Sequence, residues 1–147
     1  MHGLMQNMPL MITSLIRHAD RNHGDTEIVS RETTGGIHRY TYRDAHRRSR
    51  QLARALLSLG VKPADRVATL AWNTHRHMEL YFAVSGLGAV LHTVNPRLFE
   101  EQISYILDHG GADVLLFDIS FAGLVARLCP KLAGARTLVA MTDAAHM

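Results

Sequence analysis

Residues 65–98, DRVATLAWNTHRHMELYFAVSGLGAVLHTVNPRL, decide the fold. Arg66–Ala71 is a near-continuous apolar run of strand length, and His75–Leu87 carries apolar residues at helical spacing. Ala89–Thr93 is a second apolar run, and Asn95, Pro96 and Arg97 form its exit. Strand, helix and strand in this order make a crossover unit, whose two strands lie parallel and whose connection is right-handed. Strands as uniformly apolar as VATLA and AVLHT belong to sheets covered by helices on both faces. Gly86, Leu87 and Gly88 suggest a phosphate-binding turn, but they close an apolar helix instead of opening one. Leu91 also stands where GxGxxG needs its third glycine, so the pair reads as a helix terminator.

The alternation continues on both sides. Toward the C-terminus, Phe99–His109 reads as a helix bearing Ile103, Ile106 and Leu107, ended by Gly110 and Gly111, and Asp113–Phe117 is the next strand. A helix over Phe121–Leu128 and a strand over Thr137–Met141 extend the sheet. Toward the N-terminus, Thr13–Arg21 forms a short helix with Leu15, Ile16 and Ala19 on one side. Glu27–Ser30 and Ile37–Thr41 make an antiparallel hairpin around Gly35 and Gly36. Thr41 and Asp44 have capping-box spacing, with Asp in place of Glu. The helix they open carries Ala45, Leu52, Ala53, Leu56 and Leu57 and stops at Gly60 and Pro63. The predicted class is α/β: a partial parallel sheet with covering helices plus a small N-terminal β-hairpin, in one unit over residues 1–147.

Composition sets the functional bounds. At 147 residues, 47% hydrophobic and 20% charged, the chain suits one globular unit and neither disorder nor a coiled coil. The net charge of +3 is thinly spread, and the locally basic run of His46, Arg47, Arg48 and Arg50 points several ways on a helix. It reads as a solvated face, and no nucleic-acid binding is expected. Cys129 is a single thiol, which excludes an internal disulfide and a CxxC pair and fits a reducing cytoplasm. His75 and His77 stand at i and i+2 on a helix and do not share a face, so the histidines read as scattered surface residues and no metal site is expected. The start, MHGLMQNMPLMITSLI, lacks a basic residue before its apolar part and is too short and broken to span a bilayer. Its methionines suit a flexible apolar contact, including one with a second copy.

Several residues near the strand ends carry two readings. Trp72 ends a strand, where an aromatic can line a ligand crevice, yet a packing role is the plainer reading. Tyr81 and Phe82 fall among apolar helical positions and read as packing residues. His92, inside AVLHTV, reads as a hydrogen-bonded core histidine, since no nucleophile or orienting carboxylate adjoins it in sequence.

The combination of PLMITSLIRHA, EIVSR, TYRDAHRRSRQLARAL, GVKPADRVATLAWN, YFAVSGLGAVLHTVNPRL and ISYILDHGGADVLLFD resembles the N-terminal portion of acyl-CoA synthetases, the fatty-acid and medium-chain ligases of the adenylate-forming superfamily. The resemblance implies an enzyme that joins a carboxylic acid to AMP with ATP and Mg2+ and then passes the acyl group to CoA. It also implies that residues 1–147 are the N-terminal subdomain of the large domain, with the rest of that domain and the C-terminal domain absent. The family's Ser/Thr/Gly-rich loop ending in Lys has no counterpart here, nor has its Thr-Glu pair near magnesium. No catalytic residue is therefore assigned, and the isolated chain is expected to be inactive. Through the resemblance, Arg97 is placed near the 3'-phosphate of CoA, since a guanidinium fork suits a phosphate. The other reading pairs Arg97 with Glu100 or Glu101. A homodimer formed through the N-terminal segment is the associated partner expectation. The alternative function is a non-catalytic interaction or dimerisation module derived from the family.

Overall fold

The computed structural model describes Gly3 and residues 7–132 and 137–147. Helix α1 spans Ile12–His23, followed by strands β1 (Glu27–Arg31) and β2 (Ile37–Thr41), which pair antiparallel with Val29 opposite Arg39. Helix α2 runs over Tyr42–Ser58. Its start is fixed as the sequence predicts. The Asp44 amide donates to the Thr41 hydroxyl, and the Thr41 amide donates to the Asp44 carboxylate, which satisfies two donors that a helix start leaves free.

Strands β3 (Arg66–Leu70), β4 (Val90–Val94), β5 (Val114–Asp118) and β6 (Thr137–Met141) form one parallel sheet in the order β4-β3-β5-β6. Helices α3 (His75–Gly86), α4 (Glu100–Gly110) and α5 (Ala122–Leu128) connect them. Strand periodicity divides the apolar side chains between two layers. Val67, Val114 and Leu116 face α2 and α3, where they meet Leu56, Leu80 and Val84. Ala68, Leu70, Leu115 and Phe117 face α4 and α5, where they meet Ile103, Leu107, Val125 and Leu128. The two helix layers follow from the strand order. The chain steps from β3 outward to β4 and then returns past β3 to β5 and on to β6, so right-handed crossovers put α3 on one face and α4 and α5 on the other.

Two glycines do what the sequence assigns them. Gly88 (φ 73°) turns the chain from α3 into β4, and Gly111 (φ 58°) takes the left-handed position that ends α4. Strand β4 departs from expectation. It reads as uniformly apolar, yet it lies at the sheet edge with Val90 exposed and Leu91 and His92 half-buried. His92 is therefore not a core histidine. Its ring sits against Gly110, where an added Cβ would come within 2.5 Å of it.

Candidate functional site

The carboxyl ends of β3 and β4 open into a crevice of about 500 Å³, lined by Trp72, Asn73, His77, Tyr81, Thr93, Asn95, Pro96 and Arg97 among others. Ligand sites of open parallel sheets form at this end of the strands. The Asn95 side chain builds the exit loop by accepting the Arg97 amide at 3.0 Å, an Asx turn that Pro96 pre-orders. That turn brings the Arg97 guanidinium to 6.0 Å from the centre of the Trp72 ring. Such a distance is within cation–π range. The indole also packs on Phe121, with ring centres 5.2 Å apart. The Trp72 amide donates to Asp118 Oδ2 at 2.6 Å, which ties the exit of β3 to the end of β5.

Arg97 does not pair with Glu100. Arg127 takes that carboxylate at 2.6 Å, because the start of α4 lies beside α5. Among the described residues Arg97 forms no ion pair, so its charge faces the crevice uncompensated. Tyr81 also departs from expectation, being 41% exposed at the crevice wall instead of packed, while Phe82 does pack against Ile16, Tyr40 and Ala45. Trp72 fulfils both of its readings, packed on the Phe121 ring and 38% exposed where it lines the crevice.

His75 and His77 are not surface residues; both are buried. They do point different ways, as i and i+2 positions must, but each side of α3 is covered. His77 faces the sheet, with Nε2 3.0 Å from the Thr69 hydroxyl, and burial pulls its pKa down against a contact with the Trp72 backbone. His75 faces the hairpin. Its ring stacks on His38 at 3.8 Å with a 16° tilt, its amide donates to the Ser30 hydroxyl at 2.8 Å, and Nδ1 lies 2.6 Å from Glu32 Oε1. Burial lowers its pKa to about 4, with Glu32 pulling the other way. The basic run on α2 is likewise no simple solvated face. His46 meets Asp20 at 2.7 Å, and Arg48 reaches the buried Glu79 of α3 at 2.6 Å. Burial raises the Glu79 pKa even so.

Asp118, Glu32 and His38 escaped the sequence reading. Asp118 had a usable signal, an acidic residue closing the apolar run VLLF at a strand's carboxyl end. Glu32 and His38 had none, for they flank a polar turn without periodicity.

Among the described residues, the glycines that end α3 and α4 form no nucleotide cradle. Gly86 and Gly88 lie at the end of α3, and Gly110 and Gly111 at the end of α4. A helix C-terminus presents carbonyls and partial negative charge, which disfavour phosphate. Neither glycine pair is therefore placed to cradle the phosphates of ATP.

Residues 15–146 match the family model described as AMP-binding enzyme. The chain is similar to the 3-methylmercaptopropionyl-CoA ligase of Ruegeria lacuscaerulensis, with 48% identity over 96% of this chain and 26% of that protein. It is also similar to the medium-chain-fatty-acid–CoA ligase of Ectopseudomonas oleovorans, with 45% identity over the same shares. The chain spans about a quarter of the length of these curated relatives. A solved long-chain-fatty-acid-CoA ligase from Archaeoglobus fulgidus shares the fold with a TM-score of 0.79 at 14% identity, over 90% of this chain and 27% of that one.

Proposed function

The chain belongs to the AMP-binding enzyme family, and from that premise we propose that it is the N-terminal subdomain of the large domain of an AMP-forming acyl-CoA synthetase acting on a fatty or related carboxylic acid. In that reaction a carboxylate oxygen attacks the α-phosphorus of ATP and pyrophosphate leaves. The CoA thiol then attacks the acyl carbon of the acyl-AMP, loses its proton, and AMP departs. Mg2+ would supply dispersal of phosphate charge in such a reaction, and no residue of this chain is assigned to hold it.

The role of residues 1–147 is to build one wall of the acceptor side. The observation that carries this reading is Arg97, unpaired among the described residues and poised over Trp72 at the mouth of a strand-end crevice. A guanidinium so placed binds a CoA phosphate through paired donors, while the indole offers a flat surface to the rest of the molecule. The test is Arg97→Ala in the protein as its host makes it. The KM for CoA is expected to rise on the order of tenfold or more, the loss of a charge-assisted hydrogen bond, while acid-dependent ATP–pyrophosphate exchange is unchanged. An equal loss in both steps overturns the assignment. The 147-residue chain alone is expected to show no exchange at all.

A cytoplasmic location and a homodimer complete the proposal. Among the described residues no helix is long and apolar enough to cross a membrane. Met8, Leu10, Met11 and Leu15 are all exposed within one short stretch, which favours self-association through this end. The same patch supports the alternative of a non-catalytic dimerisation module. Exchange activity lost from a Leu10→Asp/Leu15→Asp dimer-breaking variant would favour the enzyme. Exchange absent from the native protein, with the dimer intact, would favour the module.

A further inference from the structure

We propose that Glu32, His38 and His75 form a zinc-binding site that clamps the β1–β2 hairpin to the first turn of α3. The three residues come from three places, the turn after β1, strand β2 and the start of α3, and a potential ligand atom from each lies within 4.8 Å of the others. Glu32 Oε1, His38 Nε2 and His75 Nδ1 are all buried without a hydrogen-bond partner among the described residues. The 2.6 Å approach of His75 Nδ1 to Glu32 Oε1 lies off the hydrogen-bonding direction, so it satisfies neither atom. Each unsatisfied buried polar group costs about 1–3 kcal/mol, and three gathered within 4.8 Å of one another are uncommon in native interiors. A cation would satisfy all three together, since lone pairs are what it requires.

The donor set selects the ion. Two imidazoles and one carboxylate suit Zn2+, whereas Ca2+ and Mg2+ require several oxygens. Bonds of about 2.0–2.1 Å in a tetrahedron separate neighbouring ligands by about 3.3 Å. Glu32 and His75 must therefore part slightly, and His38 must turn out of its stack on His75, because near-parallel rings 3.8 Å apart cannot both aim in-plane lone pairs at one ion. Neighbouring side chains restrain the ligands. Arg76 holds the other Glu32 oxygen and is itself 3.5 Å from Asp143, while the edge of the Tyr40 ring packs on His38 at 4.8 Å and on His75 at 5.8 Å. The Arg76 charge and the positive end of α3 oppose a dication, so the site favours a metal with high affinity for nitrogen. Its role is structural, because a two-stranded hairpin holds poorly unless it is fastened to something.

The protein purified as its host makes it, stripped with a chelator, is titrated with Zn2+ and with Co2+. Saturation at one equivalent is expected, with tetrahedral Co2+ absorption, two imidazoles in the zinc X-ray absorption spectrum and a raised melting temperature. His38→Asn and Glu32→Gln should each weaken binding on the order of tenfold or more, while exposed His109→Asn has no effect. Absence of saturable binding overturns the proposal, as does binding that His109→Asn weakens as much as His38→Asn does. If His38→Asn fails to fold, the imidazole count of the unaltered protein decides alone, and a count other than two overturns it.

Discussion

The two sheets of this chain are anchored by different chemistry. The four-stranded sheet is sealed on both faces by aliphatic side chains, with Val67, Leu70, Leu115 and Leu80 wholly out of water. The hairpin rests on α3 through His38, His75, Glu32, Arg76 and Ser30, with apolar support from Ile28 and Tyr40. Apolar packing is non-directional and loses energy in proportion to what is removed. A buried polar junction works only when complete, because each deleted partner strands another. The sheet should accordingly tolerate graded damage, whereas the contacts of α2 and α3 with their polar neighbours should fail abruptly and recover in pairs.

The heaviest blow to the sheet side is Leu80→Ala, which empties the α3 face of the core. About 3–4 kcal/mol of stability should be lost in urea unfolding. A loss below about 1 kcal/mol would mean that α3 is not seated on the sheet as described. On the polar side, Arg48→Met leaves the Glu79 carboxylate buried without its partner and should cost about 2–3 kcal/mol. The double variant Arg48→Met/Glu79→Leu should recover most of that loss. Failure to recover would place the damage elsewhere. Thr41→Ala removes the α2 cap and should cost about 1 kcal/mol, with m unchanged.

The finest probe is Asp118. Burial holds its carboxyl above the ordinary 3.8, although the Trp72 amide favours the ionised form. A carboxyl raised in the fold contributes stability below 3.8 and loses it as pH rises through the folded value. Asp118→Asn should cancel that decline, so the stability difference between variant and parent grows across this window and is flat above it. Part-buried Asp44 and exposed Asp143, whose pKa values are lowered, act in the opposite direction but equally in both proteins, and the difference removes them. A constant difference at every pH would show that the Asp118 carboxyl titrates alike in folded and unfolded chains.

Sequence legibility divides along the same line. The strands of the sheet, the box at Thr41 and Asp44, and the terminators at Gly88 and Gly111 were readable, because period and backbone freedom are local properties. The edge position of β4 was not, since the order β4-β3-β5-β6 depends on where the chain reverses and not on any single strand. His75 and His77 show the limit plainly. Their different faces were correctly inferred from spacing, but whether each face is covered is decided by the hairpin on one side and Thr69 on the other. The reading that pairs Arg97 with Glu100 failed for a similar reason, as Glu100 was claimed by Arg127 across a sequence gap that no helical spacing reveals.

The return of the chain past β3 also sets an order in time. Pairing Val67 with Leu91 closes a loop about half as long as pairing Val67 with Val114, and each doubling of loop length adds about 0.6 kcal/mol of closure entropy. The β3–α3–β4 unit therefore has the earlier opportunity to assemble as the polypeptide is made, and its opposite flank stays open until β5 arrives. Residues 65–98, which reveal the fold to a reader, are then also the segment from which the sheet can begin to grow.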